Sequence, residues 1–156
     1  MRALVLMSVL LAACTRPSAV PPTSQETTVI GVPASTGSAP ANVRTTLAVE
    51  GGESLTITGP LAGEIRNLAG ARVQVRGRRG ADRTLEARDY GILSVSDRPV
   101  TLGVLEQDAS GQLILRMSDN RLMRLHDAPP SFRAGMKVWV QGQRPGYVET
   151  YGIIRG

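Results

Sequence analysis

An all-β fold built from a duplicated unit is predicted for the later two thirds of this 156-residue chain, and three observations predict it. Val73 and Val75 alternate with Arg72, Gln74 and Arg76, as Val138 and Val140 do with Lys137, Trp139 and Gln141; this is the period of strands with one buried face. Turn-forming pairs separate such runs: Gly51-Gly52, Ser110-Gly111, Asp119-Asn120 and Pro145-Gly146. Two blocks also recur in the same order. Ala69-Gly70-Ala71-Arg72-Val73-Gln74-Val75-Arg76-Gly77 matches Ala134-Gly135-Met136-Lys137-Val138-Trp139-Val140-Gln141-Gly142, and Tyr90-Gly91-Ile92-Leu93 matches Tyr151-Gly152-Ile153-Ile154. The offset falls from 65 to 61 residues across the polar segment Arg78–Thr84, where a length change costs little.

The chain opens on Met1-Arg2, a short positive start. An apolar run follows from Ala3 to Leu11, broken only by Ser8, and then small residues, Ala12-Ala13, and Cys14. Charged start, short apolar run and small residues form the layout of an export signal. The run falls short of the roughly 18 residues that a membrane-spanning helix needs. Leu11-Ala12-Ala13-Cys14 also resembles the lipobox of bacterial lipoproteins, a resemblance confined to the first fourteen residues. It implies that residues 1–13 are removed and that Cys14, whose thiolate is a strong nucleophile, carries acyl chains. Two or three chains make a durable membrane anchor where one is marginal. Thr15 stands where Asp would be the inner-membrane retention signal, so the resemblance implies outer-membrane delivery in a Gram-negative host.

Residues 15–46 read as a disordered tether behind the lipidated Cys14. Of these 32 residues, 22 are Pro, Ser, Thr, Gly or Ala, and Pro17, Pro21, Pro22, Pro33 and Pro40 oppose a continuous helix or a central strand. Apolar surface is too sparse to offset the ordering entropy, and a coil of this length spans about 30 Å. Thr27–Val32 has the composition for one transient strand at most.

The folded body is placed at residues 47–156. Its first unit, 47–97, shows a strand at 54–58, a link at 60–70 and strands at 71–77 and 84–95, so its opening strands look missing. Gly77-Arg78-Arg79-Gly80 reads as a turn. The second unit, 98–156, shows strands at 100–106, 112–118 and 121–126, a link at 129–135, and strands at 136–142 and 147–154. Five strands with the connector between the third and fourth resemble the OB-fold, a small Greek-key barrel. Two arrangements follow from that resemblance: two small OB-like barrels packed together, the first copy incomplete, or one larger sheet assembled from both.

Catalytic signals are sparse. One cysteine and one histidine exclude an internal disulfide and the usual zinc sites. His126 is the single imidazole, and Asp127 beside it on a strand points to the opposite face, unable to orient it in a triad. No G-x-S-x-G elbow occurs, and nothing selects a pair among Glu86, Asp89, Glu106 and Asp108 for glycoside hydrolysis. The expectation is a binding protein without catalytic residues, cofactor, metal or small-molecule substrate.

Binding candidates are Trp139, projecting opposite the Val138/Val140 core face, with Lys137 beside it, and Arg72 and Arg76 on the matching strand. An outward aromatic stacks a ring or anchors a partner, unless the other repeat covers it. Six arginines between Arg72 and Arg88 suggest a polyanion track, as OB-folds with basic grooves bind single strands. Export, interruption by Asp82, Glu86 and Asp89, and a lone nearby aromatic, Tyr90, weigh against nucleic acid. The formal charge is +5 for the whole chain, but three basic residues and one acidic one precede residue 47, leaving the body at +3. The expected partners are the membrane, through the acyl chains, and an envelope protein or anionic polymer; a surface nucleic-acid or polyanion binder is the alternative.

Overall fold

The computed structural model describes residues 26–38 and 42–156. Cys14, the signal-like run before it and the expected tether as far as residue 25 lie outside the described residues. The chain folds into two five-stranded sheets, one per repeat.

The first sheet comprises β1 (Glu26–Thr36), β2 (Arg44–Val49), β3 (Ser54–Thr58), β4 (Arg72–Arg79) and β5 (Thr84–Ser94), with a short helix α1 (Ala62–Arg66) between β3 and β4. It closes on itself in the order β1-β2-β3-β5-β4, with β3 and β5 parallel through Thr56–Thr84 to Thr58–Glu86. This is the OB-like connection order, with the helix where the fold places its connector. Val73 and Val75 of β4, Leu47 of β2, Leu55 of β3 and Leu85 of β5 fill the barrel, and Ile65 and Leu68 from the α1 segment join the same core. One extra residue, Arg88, in β5 opposite the Arg76–Gly77 step shifts the alternation. Leu85 and Ala87 point inward before it and Tyr90 and Ile92 after it, which turns Asp89 and Gly91 to the outer face.

Two expectations are corrected here. The tether does not reach residue 46: β1 and β2 lie within it, and they are the opening strands that the first copy seemed to lack. Val29, Gly31 and Pro33 face the core from β1, and Thr45 and Leu47 from β2, an alternation hidden by small and hydroxylated residues. Pro33 is tolerated because β1 changes partner at Gly31. Residues 26–31 pair with β4 and 31–36 with β2, so past Gly31 no strand pairs on the β4 side; there Gly70 N–H donates to the Pro33 carbonyl, and the N–H that proline lacks costs no ladder bond. Gly77–Arg79 also belong to β4 rather than to a turn; the reversal is Gly80–Arg83, with Asp82 and Arg83 both at φ 56°.

The second sheet comprises β6 (Thr101–Gln107), β7 (Leu113–Arg116), β8 (Leu122–Arg124), β9 (Lys137–Gln141) and β10 (Thr150–Arg155) in the order β10-β9-β6-β7-β8. That is the order of the first barrel cut between its third and fifth strands. In place of the β3–β5 ladder stands a single parallel bridge, His126–Tyr147. The first copy is therefore the closed barrel and the second the reduced one, the reverse of the expectation. The link at 129–135 forms a turn, and Phe132 from it joins Leu105, Leu115 and Val138 in a second core.

Strand register shows the duplication directly. Val73, Gln74 and Val75 face Ile92, Gly91 and Tyr90; Val138, Trp139 and Val140 face Ile153, Gly152 and Tyr151. On the other side of these strands, Gly31 faces Val73 and Gly103 faces Val138, so Ile30-Gly31-Val32 is the counterpart of Leu102-Gly103-Val104. Both glycines are required by close approach. A Cβ at Gly31 would collide with the carbonyl of Ala48, and one at Gly103 would sit 2.5 Å from that of Arg116. Backbone cannot give way cheaply, so Gly103→Ala is expected to cost about 2 kcal/mol. Urea unfolding checks this; a loss below about 0.5 kcal/mol would show that the strands separate freely there.

Candidate functional site

The two copies meet through β9 and β10 of the second and the α1 face of the first. Leu102 and Trp139, with the buried Ile154, pack against the first core, and Asn67 Nδ2 donates to the Ile154 carbonyl at 3.0 Å. Glu64 of α1 is the polar node of the junction. Its carboxylate accepts from Tyr90 Oη at 2.7 Å and Lys137 Nζ at 2.8 Å, and Arg155 Nη1 lies 3.4 Å away. Lys137 Nζ also sits 4.3 Å from the centre of the Tyr90 ring. Burial pushes the Tyr90 phenol up, and the Glu64 carboxylate that it bonds pushes it further, so the hydroxyl stays a donor. For Glu64, burial raises the carboxyl, but the hydrogen bonds from Lys137 and Tyr90, with the charges of Lys137 and Arg155, outweigh it and hold it below its ordinary value.

Beside this junction the copies leave a cleft of about 690 Å³. Tyr90 and Lys137 lie in it next to the junction, Gln74, Asp89 and Gly91 form the first copy's wall, and Leu102, Val104 and the β7–β8 turn form the other. Charges in and around it are paired: Arg116 with Glu106 through two bonds of 2.6 and 2.8 Å, Arg121 with Asp119 at 2.6 Å, and Arg76 with Asp89 at 3.3 Å.

Of the binding candidates, Lys137 lines the cleft and Arg76 borders it through Asp89. Arg72, the repeat counterpart of Lys137, is engaged with Glu50 at 2.5 Å and does not line it. Trp139 does project opposite the Val138/Val140 face, but the other repeat covers it: its indole lies over Gly152 and packs on the first core. The four candidates therefore do not form one surface. His126 stacks on Tyr147 at 4.8 Å in the closing bridge, a structural position. Sequence reasoning missed Glu64, and took Tyr90-Gly91 as a repeat marker and Tyr90 as the lone aromatic beside the arginines; the adjacent exposed Gln74, opposite Gly91, was the available signal.

The arginines of β4 form no open basic track. Arg72, Arg76, Arg78 and Arg79 each have a carboxylate within 3.3 Å, from Glu50, Asp89, Glu86 and Glu53. Among the described residues no group of three or more His, Cys, Asp or Glu side chains is arranged to hold a metal ion, and no helix is long and apolar enough to cross a membrane. Comparison with known proteins adds no relative: no family model, no curated protein and no solved structure matches the chain.

Proposed function

We propose that this chain is an exported, lipid-anchored envelope protein that displays a tandem OB-like binding module for a protein or envelope polymer. The anchor rests on the signal-like run and the lipobox-like Leu11-Ala12-Ala13-Cys14. The binding role rests on one observation: between the copies lies an open cleft of about 690 Å³, lined by apolar Leu102 and Val104 together with polar Gln74 and Lys137. Outer-membrane placement follows from Thr15 if the host has two membranes.

The polyanion alternative predicts salt-sensitive retention on heparin. The paired arginines of β4 favour weak retention instead, because each phosphate or sulfate would have to displace a carboxylate. The anchor is tested by expressing the chain with radiolabelled palmitate. The natural chain is expected to take up label and sediment with membranes, and Cys14→Ser to do neither. Label surviving in Cys14→Ser, or absent from the natural chain, contradicts the anchor.

A further inference from the structure

Five glycines lie inside the strands of the two sheets: Gly31, Gly77, Gly91, Gly103 and Gly152. A glycine in a strand interior weakens the strand, so each calls for a cause. Four have one. A Cβ at Gly31, Gly77 or Gly103 would strike a carbonyl of the neighbouring strand, and one at Gly152 would strike the Trp139 indole, 2.6 Å from Cε2. Gly91 has none: an added Cβ there meets nothing within 4 Å, and its φ is not in the left-handed region. Its outer face opens into the inter-repeat cleft.

The duplicated copy shows what such a glycine accommodates. Gly152 and Gly91 hold the same register position, opposite Trp139 and Gln74 respectively. In the second copy the bare backbone is covered by a flat indole from the strand beside it. In the first copy the facing residue is the exposed Gln74, and the space above Gly91 is open. Leu102 and Val104 supply an apolar wall across the cleft, while Gln74 and Lys137 supply polar groups at its margin. We infer that the Gly91 platform is the binding subsite for a flat aromatic side chain, of tryptophan type, presented by a polypeptide partner. This inference rests on reading the cleft as the binding surface, and it selects a protein over a polymer.

The test uses the full chain in detergent micelles with glycine amides labelled by nitrogen-15. N-acetyl-tryptophanamide should shift the Gly91 amide saturably, on the order of millimolar for a fragment of that size, whereas N-acetyl-leucinamide and methyl glucoside should not. Gln74→Trp writes the second copy's arrangement into the first, and it should abolish that shift while the barrel stays folded. Gly91→Ala should raise the unfolding midpoint, since the added methyl meets open space and the strand gains order. The inference is overturned by no saturable shift, by equal saturation with the leucine or sugar probe, by shifts that survive Gln74→Trp, or by a Gly91→Ala chain that unfolds earlier. A partner bound through the cleft in the envelope without any ring on Gly91 would also overturn it, yet would leave the binding role standing.

Discussion

Glu64→Ala is expected to destabilise the protein by about 2–3 kcal/mol and to loosen the junction between the copies. The carboxylate serves Tyr90, Lys137 and Arg155 together, and its side chain and that of Lys137 are only 15% and 22% exposed. Removing one member of a buried pair costs roughly 3–5 kcal/mol, because the other charge is left without its partner; partial access to water lowers the figure here. Glu64→Gln, which keeps an acceptor, should lose less. The pH dependence follows from the same group. Its folded-state pKa is lowered, so its contribution is present above the ordinary value of 4.5 and is lost as pH falls below that value. Glu64→Gln should therefore flatten part of the acid limb. Glu50, Glu53 and Glu106, each held down by its arginine's hydrogen bond, contribute as well, as do Asp108, held down by Ser110, and Asp119, held down by the Arg121 backbone N–H. At the alkaline end Tyr90 is raised, so its contribution is present below its ordinary 10.0 and is lost above it; Tyr90→Phe should remove that limb. Urea unfolding across pH checks both. A Glu64→Ala chain within about 0.5 kcal/mol of the natural one would show that the node is not a structural joint.

Gly152→Ala should act through Trp139. The new methyl would fall within van der Waals overlap of the indole, and the ring can move only by leaving the first core and its cross-strand neighbour Leu102. Overpacking of this kind costs about 1–3 kcal/mol. Trp139 is the single tryptophan, so its fluorescence reports the site without a label. The emission should move to the red and the unfolding midpoint should fall. Trp139→Ala should destabilise by about 2–3 kcal/mol through the cavity between the copies. An unchanged emission in Gly152→Ala would show that the indole is not held on that glycine.

These two residues also mark how far the sequence could be read. Strands β4, β5, β9 and β10 were legible because valine alternation and the Tyr-Gly blocks coincide, and register then confirmed the duplication. β1 and β2 were not, because Thr27–Thr36 and Arg44–Val49 bury glycine, proline and threonine beside a single valine, Val29, and a single leucine, Leu47, too few apolar residues for hydropathy contrast. A signal was present: Ile30-Gly31-Val32 against Leu102-Gly103-Val104 extends the repeat into the opening strands, at an offset of 72 rather than 65. The offset drifts because the second copy takes fewer residues between matched positions, 35 from Gly103 to Val138 against 42 from Gly31 to Val73, so no fixed period exposes the whole match. Trp139 could be oriented from alternation, but not its cover, which depends on how the copies pack. Glu64, a lone carboxylate in a short link, acquires its role only when Tyr90, Lys137 and Arg155 converge from three strands.

The proposed function puts the partner in the cleft between the copies. A photocrosslinking amino acid at Ser118, exposed on the cleft's rim, tests it in intact cells against the same group at Ala34, exposed on β1. Adducts should form from Ser118 and not from Ala34, and should disappear when Gln74→Trp fills the platform. Equal adducts at both positions or no adduct at Ser118 would contradict that placement; adducts that survive Gln74→Trp would overturn the Gly91 platform alone and leave the cleft as the binding surface.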